Sequence, residues 1–479
     1  MIDIDSVRWS YAGSDAPTLN NLELRIAPGE MVVLCGASGS GKSSALRLMN
    51  GLIPHFHAGV LDGSVHVNGR SSAELALDEI GRLTGTVLQH PRRQFFAETV
   101  EHEIAFVLEN FGTEPAQIRE RVTALVDGHD LTPLTGRRLR ELSGGQQQQV
   151  AAAAAVGHRP DVVLFDEPTA NLSADAVTRF TATLRLLREA GTTVVIAEHR
   201  LDYLRGLADR VVLLADGSVV EEWSGAEFAG LPDEVLAAAG LRVRSAPVET
   251  RPARAHGPSI AIAADPAVPP DESGLTLHDL RCTLGGRPVL EIGSAHLPAG
   301  AVTAITGPNG AGKSTLARVL TGLQRHKGTV CLDGRRWERR DRLRESAIVM
   351  QDVQRQLFTD SVAAEIALGA SAGATSRNAA LLEALGLAGL DDRHPLALSG
   401  GQQQRLVIAS ARLSGRRLIV FDEPSSGVDG RHLHSITEVM RELAAAGAVV
   451  VVISHDEQLL AHAADQQLPL RALSASGGG

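Results

Sequence analysis

Two segments of this chain repeat each other over a long distance, and this repeat constrains the fold more than any other feature. Leu142-Ser143-Gly144-Gly145-Gln146 precedes an apolar run that ends in Phe165-Asp166-Glu167-Pro168. Leu398-Ser399-Gly400-Gly401-Gln402 leads in the same way to Phe421-Asp422-Glu423-Pro424. An offset of 256 positions relates three matching pairs, which are Ser143 and Ser399, Asp166 and Asp422, and His199 and His455. Solenoid repeats have periods of about 20 to 50 residues, so this period predicts two copies of a whole domain.

Each copy also contains a glycine-rich loop that leads into a predicted helix. The loops are Gly36-Ala37-Ser38-Gly39-Ser40-Gly41-Lys42-Ser43-Ser44 and Gly307-Pro308-Asn309-Gly310-Ala311-Gly312-Lys313-Ser314-Thr315. A short apolar strand, Met31 to Cys35, precedes the first loop, and strand, glycine loop and helix are the setting of a phosphate-binding loop. Glycines allow backbone N–H groups to turn toward phosphate oxygens, the lysine contacts the outer phosphates, and the hydroxyl of Ser43 or Ser314 binds Mg²⁺.

The spacing between motifs differs between the copies. Lys42 and Lys313 are 271 positions apart, compared with 256 further along the chain. The first copy therefore carries extra residues between its phosphate loop and its LSGGQ segment. Part of this length is Gly51 to Gly63, which contains the pair His55 and His57. Two histidines at this spacing can indicate a metal site, but no carboxylate or cysteine partner lies nearby, so a loop without a metal is the favoured interpretation.

Length and composition limit the class of protein. A chain of 479 residues with 44% hydrophobic residues is long enough for two domains with full cores. No window approaches the roughly 18 apolar residues of a membrane span, and the first residues do not resemble a secretory signal, so we expect a cytoplasmic protein. The formal charge of −10 argues against a nucleic-acid partner. The three scattered cysteines, Cys35, Cys282 and Cys331, are predicted to be reduced.

Alternating and apolar runs predict the coarse organisation. Ile4 to Tyr11 and Leu22 to Ile26 are typical of antiparallel strands, Thr193 to Ala197 of a buried strand, and Val100 to Leu142 of helix. From Ser245 to Ser273 the composition shifts to Pro, Ala and Arg without periodicity, which indicates a linker. The sequence therefore predicts an α/β protein with a first domain at 1–244, a linker at 245–273 and a second domain at 274–479.

The phosphate loop, a glutamine, LSGGQ, Asp-Glu-Pro and a late histidine, in this order and twice over, resemble the ATP-binding-cassette (ABC) family of ATPases. The resemblance implies two tandem cassettes, each with a P-loop core, an antiparallel β subdomain and a helical subdomain, that hydrolyse ATP with Mg²⁺. It also implies roles for matching residues. Asp166 and Asp422 support Mg²⁺, Glu167 and Glu423 polarise the attacking water, Gln89 and Gln351 contact both, and His199 and His455 contact the terminal phosphate.

In this family two cassettes pair head to tail, so each LSGGQ covers the nucleotide of the other cassette. The resemblance implies a first site from 36–44, Gln89, Asp166, Glu167 and His199 with Ser399, Gly400, Gly401 and Gln402. The second site combines 307–315, Gln351, Asp422, Glu423 and His455 with Ser143, Gly144, Gly145 and Gln146.

The two copies also differ at family positions. Tyr11 stands where the family places an aromatic ring under adenine, whereas Leu284 occupies that place in the second copy. The aspartate expected after Asp-Glu-Pro is present as Asp429 but is Ser173 in the first copy, and the arginine after the signature is Arg405 in one copy and Gln149 in the other. Because both catalytic glutamates are present, we predict two hydrolytic sites of unequal rate.

The segment after Gln89 resembles one branch of the family. Gln94-Phe95-Phe96 with Glu103 to Phe106, and Gln356-Leu357-Phe358 with Glu365 to Ala367, are similar to energy-coupling-factor importer ATPases, although Arg92 and Arg93 replace an acidic pair. The resemblance implies a peripheral protein on the cytoplasmic face of the membrane, with a transmembrane scaffold subunit and a small substrate-binding membrane subunit. Two alternatives remain open, a sugar-type tandem import ATPase and a ribosome-associated cassette ATPase.

Overall fold

A computed structural model of the protein describes residues 2–14, 16–170, 172–242, 251–252, 273–308, 310–350, 353–369, 381–383, 385–398, 400–425 and 428–473. These residues form two compact units, Met1–Arg244 with Asp429–Arg431, and Ser245–Val428 with His432–Gly479. Three predicted site residues, Asn309, Gln351 and Ser399, lie outside the described residues. So do nearly all of the predicted linker and the predicted tail from Ser474, and the domain boundaries stay a prediction.

The first unit contains an antiparallel sheet and a mostly parallel sheet. The antiparallel sheet has the order β2-β1-β4-β5, and the second sheet has the order β10-β9-β3-β8-β7-β6. The strands are β1 (Ile2–Tyr11), β2 (Leu19–Ile26), β3 (Met31–Cys35), β4 (Gly59–Val67), β5 (Arg70–Ser71), β6 (Thr84–Val87), β7 (Val162–Asp166), β8 (Thr193–Ala197), β9 (Arg210–Ala215) and β10 (Ser218–Ser224). In the six-stranded sheet, β9 and β10 pair antiparallel as a hairpin, and the other neighbouring strands pair in parallel.

Helices cover both faces of this parallel sheet. They are α1 (Lys42–Met49), α2 (Leu52–His55), α3 (Leu77–Leu83), α4 (Val100–Asn110), α5 (Pro115–Gly128), α6 (Gly144–Ala155), α7 (Ala174–Glu189), α8 (Gly225–Gly230) and α9 (Asp233–Ala238). All five residues of β3 are buried because the strand lies at the centre of the sheet. Val33 belongs to the core under α4, α6 and α7, whereas Val32 and Leu34 belong to the core under α1 and the antiparallel sheet. This is the continuous apolar pattern of a strand covered on both faces.

The second unit repeats this plan. Its antiparallel sheet has the order β13-β12-β15-β16, and its parallel sheet has the order β11-β20-β14-β19-β18-β17. The strands are β11 (Arg251–Pro252), β12 (Gly274–Leu284), β13 (Arg287–Pro298), β14 (Val302–Thr306), β15 (Lys327–Leu332), β16 (Arg335–Arg336), β17 (Ser346–Val349), β18 (Leu418–Asp422), β19 (Val449–Ile453) and β20 (Gln466–Pro469). The described helices are α10 (Lys313–Leu320), α11 (Arg339–Glu345), α12 (Val362–Gly369), α13 (Gly400–Leu413), α14 (Gly430–Ala445) and α15 (Glu457–Ala463).

The structure differs from the sequence expectation in three places. Residues 51–63 are not a plain loop, because α2 and the first half of β4 fall within them. The helical region from Val100 to Leu142 is two helices, α4 and α5, followed by two short 3-10 turns that contain Thr132–Leu134 and Leu139–Glu141. Within the range assigned to the linker, β11 pairs in parallel with β20. The single-turn helix α2, the 3-10 turns and the two-residue strand β11 are too short to show a periodicity in the sequence.

No helix among the described residues has the length and apolar character needed to cross a bilayer. The same residues contain no group of three or more His, Cys, Asp or Glu side chains placed to hold a metal ion. His55 Nε2 instead lies 3.1 Å from the Ser72 carbonyl oxygen, and the His57 ring packs edge-on against Tyr11. The two histidines of residues 51–63 therefore contact backbone and an aromatic ring.

Candidate nucleotide-binding sites

The first phosphate loop connects β3 to α1 and depends on glycine backbone geometry. Gly36, Gly39 and Gly41 have φ values of +141°, +84° and +102°. A Cβ at Gly36 would lie 2.1 Å from the Leu214 carbonyl oxygen, whereas a Cβ at Gly39 would meet no atom within 4 Å. Gly36 is therefore required by close approach of β9, and Gly39 by its left-handed conformation alone.

Lys42 is the first residue of α1 and is only 5% exposed. Its Nζ donates hydrogen bonds to the carbonyl oxygens of Gly36 and Ala37, both at 2.9 Å. Burial lowers the pKa of this lysine. A buried ammonium group held by loop carbonyls at the beginning of a helix is suited to bind an anionic group, because both the charge and the free N–H groups of the helix favour one.

Ser43 and Asp166 meet beside this loop. The Ser43 hydroxyl donates to Asp166 Oδ1 at 2.8 Å, which joins α1 to the end of β7. Burial, together with the charge of the neighbouring Glu167, raises the pKa of Asp166 to about 6. A hydroxyl and a carboxylate oxygen at this spacing are the hard oxygen ligands that Mg²⁺ prefers, and a bound cation would favour the ionised carboxylate.

Glu167 is the point where three predicted site residues come together. Gln89 Nε2 donates to Glu167 Oε2 at 2.8 Å, and His199 Nε2 lies 3.1 Å from Glu167 Oε1. The Glu167 backbone has φ of +45°, and its N–H donates to the Ala197 carbonyl oxygen at 2.8 Å. A left-handed conformation costs a residue with a side chain roughly 1 kcal/mol or more and is concentrated at functional sites.

The second unit repeats the backbone of this site but not all of its side-chain contacts. Lys313 Nζ donates to the Gly307 and Pro308 carbonyl oxygens at 2.7 and 3.1 Å, and the Ser314 hydroxyl lies 3.3 Å from Asp422 Oδ1. Glu423 has φ of +53°, close to the value at Glu167. His455 Nε2, however, lies 3.8 Å from Glu423 Oε1, so the histidine contact is looser than in the first unit.

The two glutamates consequently differ in their electrostatics. Burial raises the pKa of Glu423 to about 7. Burial acts in the same direction on Glu167, but the His199 imidazole, its hydrogen bond and the Lys42 ammonium outweigh it, so the pKa of Glu167 is lowered. The two cassettes share these motif residues, so the difference follows from how closely the histidine approaches the glutamate, 3.1 Å in the first cassette and 3.8 Å in the second.

Tyr11 lies at the end of β1, next to the phosphate loop. Its hydroxyl is 3.0 Å from Ser44 Oγ and accepts a hydrogen bond from the Arg47 guanidinium at 2.9 Å, which fixes the ring against α1. The ring packs edge-on against His57, with centroids 5.7 Å apart. Leu284, its predicted counterpart, is 39% exposed at the end of β12. Arg47 and His57 belong to no motif, so the sequence gives no sign that they are neighbours of Tyr11.

The signature segments begin the helices α6 and α13. Ser143 is the N-cap of α6, where its Oγ accepts from the Gln146 N–H at 3.4 Å and its own N–H donates to Gln146 Oε1 at 2.9 Å. A Cβ at Gly145 would lie 2.7 Å from the Ala176 Cβ, so α6 and α7 pack closely there. In the second unit, Gly400, Gly401 and Gln402 form the first turn of α13.

A family model described as ABC transporter matches residues 19–170 and 290–426. The matched residues amount to more than half of the chain and include one phosphate loop in each unit. The chain belongs to this family. Both ABC cassettes are thus identified, and the predicted α/β fold of tandem P-loop domains is confirmed.

Relatives of known sequence match across both ABC cassettes. An ABC transporter ATP-binding protein of Treponema denticola is 36% identical over 479 residues, which cover 100% of this chain and 96% of that protein. A Bacillus subtilis protein named as an HMP/thiamine import ATP-binding protein is 30% identical, with 98% of this chain and 90% of the relative covered. A solved structure of RNase-L inhibitor has a TM-score of 0.60 and 21% identity over 96% of this chain and 87% of that chain, which supports the fold alone.

The protein is therefore an ABC transporter ATPase, and ATP with Mg²⁺ is its substrate and cofactor. The residues present fit this group. The glycine loop leaves open space at Gly39, the buried Lys42 ammonium faces loop carbonyls, and the Ser43–Asp166 pair offers oxygen ligands. When bound, Mg²⁺ neutralises phosphate charge. The chain itself supplies a fixed carboxylate at Glu167, oriented by Gln89 and His199.

Two kinds of buried carboxylate lie near these sites, and neither has a role predicted from the sequence, although Glu103 and Glu365 belong to the segments that resemble importer ATPases. Glu103 and Glu365, 262 positions apart, are 5% and 4% exposed, and each accepts hydrogen bonds from two backbone N–H groups. Glu198 is 1% exposed and has Ser454 as its counterpart 256 positions later. The matching spacing of the glutamate pair was a usable signal. Glu198 had none, because the second copy has a serine there.

Proposed function

We propose that this chain is the ATP-hydrolysing subunit of an energy-coupling-factor type importer. It binds, on the cytoplasmic face of the membrane, a transmembrane scaffold subunit, which is joined by a small substrate-binding membrane subunit. The cargo is a vitamin, a vitamin precursor or a transition-metal ion, and the small membrane subunit selects it. ATP-driven pairing of the two cassettes, each covering the other's nucleotide, moves the scaffold, and hydrolysis resets it.

One observation carries the proposal. Each cassette presents an exposed aromatic residue to solvent shortly after its predicted site glutamine, which is Gln89 or Gln351. In the first cassette, Phe95 packs against the core while Phe96 is 74% exposed and stacks on Phe106, with ring centroids 4.9 Å apart. The buried Glu103 carboxylate accepts the N–H groups of Phe96 and Ala97 at 2.9 and 2.8 Å. The exposed ring is thus presented by an ordered backbone.

The second cassette repeats this arrangement with different residues. Leu357 is buried, Phe358 is 77% exposed, and Leu368 on α12 is 67% exposed at the position that matches Phe106. Glu365 accepts the N–H groups of Phe358 and Thr359, both at 3.0 Å. A repeated, hydrogen-bonded presentation of an apolar side chain to solvent favours a binding role, because it leaves large apolar surface uncovered.

The preceding glutamine fixes the same turn in both cassettes. Gln94 Oε1 accepts the Leu88 N–H at 2.8 Å, and Gln356 Oε1 accepts the Met350 N–H at 2.7 Å. This ties each turn to the end of the edge strand, β6 or β17. Burying one phenylalanine side chain contributes about 2 to 3 kcal/mol, so the two sites together supply two comparable anchors for membrane partners.

The class of cargo rests on a relative. The Bacillus subtilis protein named for HMP/thiamine import is 30% identical over nearly the whole chain, which supports a vitamin precursor as cargo. In an importer of this type, cargo selection belongs to the small substrate-binding subunit.

We further propose catalytic roles for the motif residues of each cassette. Glu167 and Glu423 polarise the attacking water, His199 and His455 orient the terminal phosphate, and Gln89 with Gln351 position water and Mg²⁺. The contacts of Glu167 with Gln89 and His199 support the first set. The left-handed backbone shared by Glu167 and Glu423 supports equal placement of the two carboxylates.

Co-purification in mild detergent from the native cells, followed by mass spectrometry, tests the proposal. The wild-type chain is expected to bring two multi-span membrane proteins with it. Phe96→Ala with Phe358→Ala should remove them and leave the ATPase activity of the purified chain within about two-fold, since both rings are largely exposed and neither residue belongs to the nucleotide motifs. Val220→Ala, at a 56% exposed position on β10, is the matched control and should retain both partners. Recovery of ribosomal proteins in place of membrane proteins would refute the importer.

A further inference from the structure

Glu198 follows β8 directly and is the most densely hydrogen-bonded carboxylate near the first site. Its Oε1 accepts from the backbone N–H groups of His199 and Arg200, at 2.7 and 3.1 Å. These bonds curl the chain immediately after the strand. They fix the backbone of His199, whose ring reaches Glu167.

The other oxygen of Glu198 reaches the turn that follows Glu167. Its Oε2 accepts from the Thr169 hydroxyl at 2.7 Å, from the Thr169 N–H at 3.3 Å and from the Tyr203 hydroxyl at 3.1 Å. All five partners are donors, which is the pattern that a carboxylate can accept. The side chain is 1% exposed, so water does not compete for these bonds. Glu198 therefore links the β7 turn, which carries Glu167, to the β8 loop, which carries His199.

In the second cassette, a smaller residue with fewer hydrogen bonds occupies the position that matches Glu198. Ser454 replaces Glu198, and its hydroxyl donates to Glu423 Oε2 at 3.2 Å while it accepts the Asp456 N–H at 3.0 Å. Asp456 in turn caps α15 through the N–H groups of Gln458 and Leu459. The serine contacts the catalytic glutamate itself, and the histidine distance is 3.8 Å, compared with 3.1 Å in the first cassette.

We propose that Glu198 is a positioning residue of the first cassette, which holds His199 against Glu167 by tying the β8 loop to the β7 turn. The inference rests on the proposed catalytic roles of Glu167 and His199 and goes beyond them, since Glu198 acts through the His199 backbone N–H and the Thr169 turn. The inference also gives a physical reason for the predicted difference in hydrolysis rate between the cassettes, because the second cassette orients Glu423 through Ser454.

The expected effect of removing the carboxylate follows from its two oxygens. Glu198→Gln keeps the size of the side chain but replaces one acceptor oxygen by an NH₂ group, which would face at least one backbone N–H donor in either orientation. The loop that carries His199 is then expected to shift, whereas the hydrogen bonds of the Glu198 carboxylate among the described residues do not reach the phosphate loop with Lys42 and Ser43. Misplacement by about 1 Å can cost about 100-fold in rate, so kcat should fall while nucleotide affinity is retained.

The test is carried out in the full chain with the second cassette silenced by Glu423→Gln. In this background, Glu198→Gln is expected to lower kcat for ATP about 10-fold to 100-fold and to leave the Kd of a fluorescent ATP analogue within about two-fold. Glu227→Gln is the control, because Glu227 also accepts hydrogen bonds from Ser224 but lies in the α8 cap. It should leave both values unchanged.

A rescue variant separates positioning from loss of folding. Glu198→Ser with Arg200→Asp installs the pattern of Ser454 and Asp456, and it should recover at least part of the rate lost in Glu198→Gln. A kcat of Glu198→Gln equal to that of its background would overturn the inference, and so would loss of nucleotide affinity in parallel with rate. Glu167→Gln in the same background tests the proposed catalytic roles separately. If that variant keeps full activity, those roles are wrong.

Discussion

The raised pKa of Glu423 predicts a pH-dependent cost to the stability of the second unit. Burial raises this pKa from 4.5 to about 7. The folded unit therefore binds the proton more tightly than the unfolded chain does. Stability that is fully present below about pH 4.5 is lost as the pH rises toward 7. With 1.36 kcal/mol for each pH unit, the charged side chain costs about 3 kcal/mol at pH 7.5 and about 1 kcal/mol at pH 5.5.

Glu423→Gln removes this charge and keeps the shape of the side chain. The variant should be more stable than the parent at pH 7.5 by up to about 3 kcal/mol, and the gain should shrink to about 1 kcal/mol at pH 5.5. The side chain is 18% exposed, so partial solvation makes the first figure an upper bound. Nucleotide must be absent and EDTA present, because a bound cation would favour the ionised carboxylate.

Urea unfolding followed by tryptophan fluorescence measures this difference. The chain has three tryptophans, of which Trp337 alone lies in the second unit, where it is 5% exposed. A parent with Trp9→Phe and Trp223→Phe therefore reports on that unit. Glu167→Gln is the matched control with the opposite sign, made in a second parent with Trp9→Phe and Trp337→Phe and followed through Trp223, since the pKa of Glu167 is lowered and its neutralisation should destabilise. Equal stability of parent and Glu423→Gln at both pH values would refute the reasoning.

Three further predictions follow from packing and from the aromatic difference between cassettes. Gly36→Ala should abolish nucleotide binding at the first site in a fluorescence titration because its Cβ would lie 2.1 Å from a carbonyl oxygen, whereas Gly39→Ala, with open space, should weaken binding there only about five-fold through backbone strain. Tyr11→Leu should weaken ATP binding at the first site about five-fold, and Leu284→Tyr should strengthen it at the second by a similar factor. Phe165→Ala should lower the unfolding free energy by about 3 to 5 kcal/mol in urea, since the ring is fully buried against Phe180.

The parts of the fold that sequence predicted well are those with long apolar runs or fixed motif chemistry. Strand β3 begins and ends where the apolar run Met31 to Cys35 does, and β8 coincides with Thr193 to Ala197. Both lie at the centre of a sheet covered on two faces, where the pattern depends only on burial. Residues 51–63 were less predictable, because α2 is a single turn and β4 pairs with β1 through backbone bonds that leave little trace in side-chain pattern.

In the nucleotide-binding site, too, the motif residues were predictable from the sequence and the residues around them were not. Motif spacing placed Lys42, Ser43, Asp166 and Glu167 in one neighbourhood, and the structure brings them together. It could not predict that His57 packs on Tyr11, since that contact depends on how residues 51–63 fold back over β1. Glu198 was also invisible, because an acidic residue beside a histidine has no meaning until Thr169 and Tyr203 are known to lie within hydrogen-bonding distance. Such residues are defined by tertiary contacts alone.

The inequality of the two cassettes arises in the residues around the catalytic carboxylates. The backbone is shared, since Glu167 and Glu423 both adopt the left-handed conformation and both donate their N–H to the last residue of the next strand at 2.8 Å. The difference lies one residue after that strand, where Glu198 holds the loop in one cassette and Ser454 contacts the carboxylate in the other. If loop anchoring sets the rate, then exchanging these two positions should move the cassettes toward each other in kcat, although every motif residue remains unchanged.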